Sequence, residues 1–517
     1  MTITMVKARP AISLLGPALA AILATPVARA EWRFTPTVDL RETWTDNVNL
    51  APPGQEHSRL VTTLSPGFQL INETPRLQFR ANYQLSLYDY RGSRPDNTQR
   101  HTSFLNADAR ARLLGEVLFL DASASVQQTP TLAFGPQLPG GGYSSSNSSE
   151  MRSYRISPYL RETFGSLASG ELRYVHDYVS SSAAGFGQST GDTVSALLSS
   201  GPSFRKVGWT MTASRQKLHD NIASDSTTDA ANLGLRYLLS TQLSLNLNGG
   251  YDRFDYHSQG GKTQGASYSG GFRWDPSGRT TLEANVGHRF YGPSYYLSAQ
   301  HRSRGTVWNI SYDDAVTNTR NQFTLPATVN TTALLNQLFS VSIPDPIQRA
   351  AFIQAYIAAR GLPVALPNAI NYLSNRYTLQ RQFRASTAMQ LSHSTAVVTV
   401  FRSKRRALSE TQQDSQLLGT QFLNLNDNTD QKGLNATLSY QLSPRSQATL
   451  SAAAYRTESL SIDRVDNSRQ LSLYLTRQFS AKLSAVAEVR RTRGTSFAFT
   501  GGKYTENALS AGLSMKF

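Results

Sequence analysis

Cysteine is absent from all 517 residues of the chain. Its absence excludes disulfides, zinc–thiolate sites and cysteine nucleophiles. Long apolar runs are missing as well, because no stretch of about 20 apolar residues that could span a bilayer as a helix occurs beyond residue 30. The chain therefore depends on a large hydrogen-bonded fold for its stability.

The first 30 residues have the layout of a secretory signal peptide. Lys7 and Arg9 form a positive segment, an apolar stretch runs from Ala11 to Val27, and Ala28-Arg29-Ala30 is a small-x-small cleavage site. We therefore predict a signal peptide over residues 1–30 and a single exported domain over residues 31–517.

Acidic side chains are scarce, with 35 Asp and Glu against 51 Lys and Arg and a formal net charge of +16. A basic excess often indicates nucleic acid as the partner. An exported protein rarely meets nucleic acid, so we expect an anionic polymer, an anionic solute or the phosphates of lipopolysaccharide instead. A basic surface without any partner is the alternative.

The clearest positive signal is an alternation of apolar and polar residues with a period of two. Residues 77–88 place Leu, Phe, Ala, Tyr, Leu and Leu on one face, and mostly polar residues on the other. The pattern covers about 11 residues, the length of a tilted transmembrane strand, whereas a strand of a soluble sandwich is usually about five or six.

The alternation recurs to the end of the chain, for example over residues 105–113, 118–126, 243–251, 434–442 and 448–454. Tight turns such as 72–75, 114–116, 240–242 and 480–482 alternate with longer polar loops such as 46–58, 90–102, 127–152 and 403–430. This alternation of short turns and long loops is typical of an outer-membrane barrel whose short turns are periplasmic. We predict an all-β, antiparallel, up-and-down transmembrane barrel of about 22 strands, within a range of roughly 18 to 24; the segments 192–218 and 295–312 are the weakest.

The C-terminal segment ends in an alternating strand. Leu513, Met515 and Phe517 share one face, and the last residue is aromatic. This arrangement resembles the signal by which the barrel-assembly machinery recognises its substrates, so we expect that machinery to be a partner.

An insertion over residues 313–375 interrupts the strand pattern. Asp345-Pro346 can begin a helix and Gly361 can end it, which predicts one short helix over about residues 346–360 in a long extracellular loop. Such a loop either forms a lid or constriction at the pore or remains a surface loop outside it.

The strand assignment also predicts what faces the lumen. A basic lining favours anions, although Arg–Asp pairs in a lumen are often structural networks. Tyr88, Phe119 and Tyr159 are inward aromatics that could stack on sugar rings. The predicted pore-lining arginines are Arg80, Arg110, Arg112, Arg155, Arg161, Arg173, Arg236, Arg273, Arg289, Arg384 and Arg490. The aromatics predicted for the interfacial girdles are Trp32, Trp44, Tyr90, Trp209, Trp274, Tyr291, Tyr295 and Trp308.

Enzymatic function has little support in the sequence. The eight histidines show no metal-ligand spacing, and no nucleophile elbow or phosphate loop is present. We therefore predict no catalytic residues, no cofactor and no metal site.

Three segments resemble a known family: EWRFTPTVDLRETWTDNVNLAP at 31–52, FGPQ at 134–137 and HRSRGTVWNISYDDAVT at 301–317. They are similar to outer-membrane barrels associated with the PEP-CTERM/exosortase system of exopolysaccharide-producing bacteria. The resemblance implies an exported barrel linked to exopolysaccharide synthesis and export.

Together these patterns predict a barrel in the cell outer membrane that acts as a conduit for exopolysaccharide. The partners expected are outer-membrane lipid and lipopolysaccharide, anionic polysaccharide and periplasmic export proteins, and no nucleic acid. Two other functions remain open at this point: a general or anion-selective porin for small solutes, and a structural or adhesive scaffold that does not conduct.

Overall fold

A computed structural model of the protein describes residues 32–136, 142–144, 147–324, 331–340, 343, 349, 353, 372–419, 422–495 and 502–517. The predicted signal peptide lies outside these residues, as does most of the predicted helix at 346–360. Arg349 and Ile353 are the two described residues of that segment, and both are helical.

The described residues contain 22 β-strands that form one sheet. The strands are β1 Arg33–Thr45, β2 Arg59–Glu73, β3 Leu77–Tyr90, β4 His101–Leu114, β5 Leu118–Thr129, β6 Ser149–Phe164, β7 Ala168–Ser181, β8 Ser189–Ser200, β9 Val207–Asp220, β10 Ser226–Leu238, β11 Leu243–Asp255, β12 Gln264–Ser277, β13 Thr280–Arg289, β14 Gly292–Arg302, β15 Thr306–Thr317, β16 Thr378–Gln390, β17 Ser394–Ala407, β18 Asn428–Ser443, β19 Ser446–Ser459, β20 Arg464–Gln478, β21 Leu483–Thr495 and β22 Lys503–Lys516.

The sheet is a closed antiparallel barrel. Each strand pairs with the next along the chain, and β1 also pairs with β22, where Leu40 lies opposite Leu513. Closure leaves no strand edge, so the sheet can satisfy the backbone N–H and C=O groups of the wall in hydrocarbon. The predicted fold class and strand number are confirmed.

The connections differ between the two ends of the barrel. At the end where β1 begins and β22 finishes, which we call the turn rim, connections have two to six residues. At the opposite end, the loop rim, three long connections cover residues 130–148, 318–377 and 408–427. The segments with the weakest sequence pattern also form strands, namely β8, β9, β14 and β15.

The outer surface of the wall is apolar around the whole barrel. Large side chains stay exposed on it, for example Leu40 at 46 %, Leu247 at 62 % and Leu473 at 42 %. A belt of this extent on a soluble protein would drive association, whereas hydrocarbon accommodates it. No helix in the described residues is both long and apolar enough to cross a membrane.

Most of the aromatics predicted for the girdles lie on the outer surface near the rims, as for Trp44 (48 % exposed), Trp274 (44 %) and Trp308 (42 %). Tyr90 does not. It is only 6 % exposed, and its hydroxyl donates hydrogen bonds to the carbonyl oxygens of Gln99 and Tyr143. The girdle prediction for Tyr90 was wrong because a loop folds inward over this end of β3.

The long connections contain helices that the sequence pattern did not predict. In the connection between β15 and β16, α1 spans Thr319–Thr324 and α2 spans Thr331–Leu338. Between β17 and β18, a 3₁₀ turn at Thr411–Asp414 leads into α3 at Ser415–Leu418.

We expect a charge on the lipid face to cost far more stability than the same charge on the lumen face. Leu247→Arg should destabilise the barrel by about 2–4 kcal/mol, whereas Asn248→Arg, on the opposite face of β11, should cost less than about 1 kcal/mol. Urea titration of both variants folded into vesicles measures the difference, and equal losses would contradict the assignment of faces.

Candidate functional site in the barrel lumen

The connection between β15 and β16 enters the lumen. Its helix α2 buries Leu334, Leu335 and Leu338 against Val307, Ala388 and Val397, which lie on the inner faces of β15, β16 and β17 near the turn rim. Burying side chains of this size contributes about 1.5–3 kcal/mol each. The connection therefore reaches from the loop rim through most of the depth of the barrel.

Polar contacts fix the position of this segment. Asn309 on β15 donates a hydrogen bond of 2.9 Å to Gln337 of α2. Arg302, the last residue of β14 at the turn rim, donates to the hydroxyl of Ser340. These two contacts hold α2 and the residues that follow it against β14 and β15.

The same connection also reaches a distant part of the wall, at β7. Arg320 of α1 forms an ion pair with Asp177 of β7, and the two side chains are 5 % and 4 % exposed. A Cβ at Gly191 would overlap the guanidinium, so a larger residue there would force Arg320 to shift. Burial lowers the pKa of Arg320, and its Nε and Nη1 have no hydrogen-bond partner in the described structure.

The connection between β5 and β6 docks at a third part of the wall. The hydroxyl of Tyr143 donates to Glu506 of β22 and accepts a hydrogen bond of 2.7 Å from Arg490 of β21. Thr45 and Thr492 also donate to Glu506, at 3.1 and 3.2 Å. Burial raises the pKa of the Tyr143 phenol, so the phenol keeps its proton and remains a donor.

The three long connections pack on one another. Phe134, Tyr372, Leu418 and Leu425 form a buried apolar cluster that joins all three. Polar contacts reinforce this junction, because buried Asp414 accepts hydrogen bonds of 2.7 Å from both Ser374 and the backbone N–H of Asn375.

Burial raises the pKa of the Asp414 carboxyl, and the two donors oppose that shift. Arg376, which is fully buried, forms an ion pair with Asp427. We call the described parts of the connections 130–148, 318–377 and 408–427 the loop plug.

The loop plug lies against one side of the barrel wall and leaves the opposite side open. Inner-face side chains of β16–β18 are buried, including Thr395, Ser403 and Ser439 at 0 % exposure. On β8–β13 the wall instead borders an open groove of about 530 Å³, and Arg236, Asn248 and Arg273 are exposed in it. The other polar residues lining the groove are Ser199, Ser200, Thr210, Asn246, Glu283 and Asn285.

The strand register places all eleven predicted arginines on the lumen face. Eight of them form salt bridges, such as Arg110 with Asp121 at 3.1 Å and Arg161 with Glu171 at 2.7 Å. The complete set of eight is Arg80, Arg110, Arg112, Arg161, Arg173, Arg273, Arg289 and Arg490. Arg155 and Arg384 have charged neighbours, Asp177 and Asp313, while no acidic partner of Arg236 is found in the described structure.

The lumen is more balanced in charge than the sequence analysis expected. Glu171 and Glu506 face inward and were missed there, and both pair with predicted arginines. The alternation of apolar and polar residues assigns such acids to the lumen face only where the ends of the strand are known. No group of three His, Asp or Glu side chains among the described residues is arranged to hold a metal ion.

The inward aromatics do not form an open stacking surface. Tyr159 is 5 % exposed, because its ring stacks on Phe119 at 5.0 Å and the Arg173 guanidinium lies 3.8 Å from its centre. Tyr88 shares a hydrogen bond of 3.0 Å with Thr102. Sugar stacking on Tyr159 would require Arg173 to move.

The residues of the predicted assembly signal lie on the outer surface near the turn rim. Leu513 and Met515 lie opposite Leu40 and Val38 of β1. The backbone N–H of Phe517 donates a hydrogen bond of 3.0 Å to Pro36, and its side chain is 56 % exposed.

No family model matches the chain, and no curated protein matches it in sequence. Solved structures with a similar fold include the siderophore receptor PirA from Pseudomonas aeruginosa, at 12 % identity and a TM-score of 0.44 over 95 % of this chain and 82 % of that chain. The FrpB iron transporter from Neisseria meningitidis is 11 % identical, with a TM-score of 0.49 over 95 % and 83 %. OpdK from Pseudomonas aeruginosa, solved with vanillate, is 7 % identical, with a TM-score of 0.33 over 94 % and 99 %.

These similarities concern the fold alone. The class of the protein follows from its own geometry: a sheet closed without edges, a continuous apolar outer belt and a polar interior. These features define a β-barrel of the outer-membrane type.

We expect Arg320→Met to loosen the loop plug. Asp177 would lose the buried cation that pairs with it, and breaking a buried pair on one side costs roughly 3–5 kcal/mol. Single-channel recording in planar bilayers should show a higher and noisier conductance than that of the wild type.

The matched control replaces both members of the pair. Arg320→Met combined with Asp177→Leu leaves neither member of the pair as a buried charge without its partner, and the channel should return towards the wild-type level. Conductance unchanged in the single variant would mean that this contact does not hold the plug.

Proposed function

We propose that the protein is an outer-membrane conduit for a secreted polysaccharide, closed at rest by its own loops. The observation that carries the proposal is the open groove along β8–β13, beside a lumen that the loop plug partly fills. A polar groove beside a displaceable plug is the geometry that a gated conduit requires.

The size of the barrel supports a large solute. Barrels of 16–18 strands already leave an aqueous channel, and barrels of about 22 strands are plugged. A plug made of loops that are held by a few buried contacts can yield when a partner binds. Arg320 supports this idea, since its guanidinium is buried with two of its nitrogens unpartnered in the described structure.

The chemistry of the groove favours a polyhydroxylated chain over a small anion. Asn246, Asn248 and Asn285 offer donors and acceptors together, as sugar hydroxyls require. Arg273 forms a salt bridge of 2.8 Å with Asp275, which neutralises part of the positive charge of the groove wall. A strongly anion-selective porin would need more uncompensated charge than this groove contains.

The resemblance to barrels of the PEP-CTERM/exosortase system adds the class of polymer, an exopolysaccharide. Synthesis of the chain would supply the driving force. Periplasmic export proteins would then dock at the turn rim and displace the plug, and the barrel-assembly machinery would insert the protein.

Narrowing the groove tests the proposal. Asn246 and Asn285 flank Gly271 in register, so Asn246→Trp together with Asn285→Trp would fill the groove at one height. We expect surface polymer to fall roughly tenfold or more, because passage of a wide chain depends on the narrowest section. The measurement is surface and envelope polysaccharide in the producing cell.

The control is Leu245→Trp with Leu247→Trp, which places two tryptophans on the lipid face of β11 and should leave export unchanged. Electrophoretic mobility with and without heating confirms that both variants are folded. Normal surface polymer in the groove variant would exclude the groove as the path. Normal polymer with reduced uptake of small anions would identify a porin instead.

A further inference from the structure

The outer surface carries a second charged feature, separate from the lumen. On strands β16–β22, the outward side chains change from apolar to basic at the loop-rim end of the apolar belt. On β20, Leu473 and Leu471 are followed by Arg469. On β21, Val489 is followed by Arg491 and Arg493.

We call this feature the basic belt. It comprises ten outward-facing cations and two outward-facing acids, Asp430 and Glu458. The cations are Arg381, Arg402, Lys404, Arg406, Lys432, Arg456, Arg469, Arg491, Arg493 and Lys503. All ten are exposed.

The rest of the circumference has the opposite balance. On β1–β15 the outward positions in the half of the wall nearest the loop rim carry four cations and seven acids. The cations are Arg152, Arg215, Lys217 and Arg253, and the acids are Glu42, Asp89, Glu150, Asp192, Asp229, Asp255 and Asp314. The basic belt is therefore a local feature and not a consequence of the overall net charge.

The register of the basic belt sets like charges directly opposite one another. Arg402, Lys432 and Arg456 are paired across three neighbouring strands, and Arg469 lies opposite Arg493. Like charges in such positions destabilise a sheet unless an anion lies between them.

Only part of this charge is compensated within the chain. Arg402 pairs with Asp430 at 2.6 Å, and Arg456 pairs with Glu458. Arg469, Arg491, Arg493 and Lys503 form no salt bridge with any described residue. These four cations on β20–β22 are the part of the basic belt that has no outward-facing acid among the described residues.

We propose that the basic belt binds the phosphorylated headgroup of a glycolipid in the outer leaflet of the membrane, with its centre at Arg469, Arg491 and Arg493. Guanidinium groups bind phosphate oxygens bidentately, and a phosphate between Arg469 and Arg493 relieves their repulsion. The acyl chains of the same molecule would pack below, on Leu471, Leu473 and Val489. The height of the cations, directly above the apolar belt, is where the headgroup of a membrane lipid lies.

The test measures binding of purified bisphosphorylated lipid A to the detergent-solubilised full-length barrel. The variant is Arg469→Gln/Arg491→Gln/Arg493→Gln. Each cation near an anionic lipid surface is worth roughly fivefold in affinity, so we expect binding about 100-fold weaker than that of the wild type. Lipid A without phosphates should bind the wild type and this variant equally weakly.

Two matched variants separate charge from folding. Arg215→Gln/Lys217→Gln/Arg253→Gln removes three outward cations from β9 and β11 and should keep wild-type affinity. Arg469→Lys/Arg491→Lys/Arg493→Lys keeps the charge and should recover most of the binding. The proposal is overturned if dephosphorylated lipid A binds the wild type as tightly as the bisphosphorylated form, or if both triple glutamine variants lose affinity equally. It is also overturned if the basic-belt variant loses binding of an anionic polysaccharide while its binding of lipid A is unchanged.

Discussion

The structure depends on one constraint: a backbone N–H or C=O group in hydrocarbon has no water to bond with. Only a sheet without edges meets this constraint for strands, so β22 must pair with β1. The alternation of side chains follows from the same constraint, because each strand of a single-layer wall has one face in lipid and the other in the lumen. The sequence pattern, the apolar outer belt and the polar lumen are three consequences of one closed ladder.

A closed ladder of 22 strands creates a second problem, which is a lumen too wide to leave empty. The loop plug occupies part of this lumen and is held by different kinds of contact at different parts of the wall. The apolar packing of α2 on Val397 and its neighbours is an extended contact, whereas the Arg320–Asp177 ion pair and the Tyr143–Glu506 hydrogen bond are each a local contact between two side chains. Local contacts between buried polar groups are sensitive to the loss of one partner. Loss of one partner at either of these contacts is therefore expected to loosen the plug there, whereas the apolar packing of α2 would remain.

Sequence reasoning recovered the wall and left open whether the insertion at 313–375 constricts the pore, for a physical reason. Strand positions follow from a period of two, so the strand number and the inward position of residues such as Arg110 and Arg490 could be read from the chain. Irregular loops have no period, so Arg320, Tyr143 and Asp414 gave no comparable signal. One signal was available. Residues 396–401 of β17 read Ala-Val-Val-Thr-Val-Phe, apolar on both faces, and a strand with an apolar inner face must be covered from within. Tyr90 was misplaced for the related reason that a covering loop, not lipid, buries it.

The most direct test of this account uses the absence of cysteine, because a single introduced thiol is then the only one in the protein. Leu247→Cys, Asn248→Cys and Leu335→Cys place that thiol in lipid, in the open groove and between the loop plug and the wall. A membrane-impermeant maleimide applied to the protein in vesicles should label Asn248→Cys quickly and the other two slowly. Releasing the plug with Arg320→Met should speed labelling of Leu335→Cys and leave Leu247→Cys slow. Fast labelling of Leu335→Cys in the intact protein, or of Leu247→Cys in any form, would contradict a barrel that faces lipid outside and is filled by its own loops within.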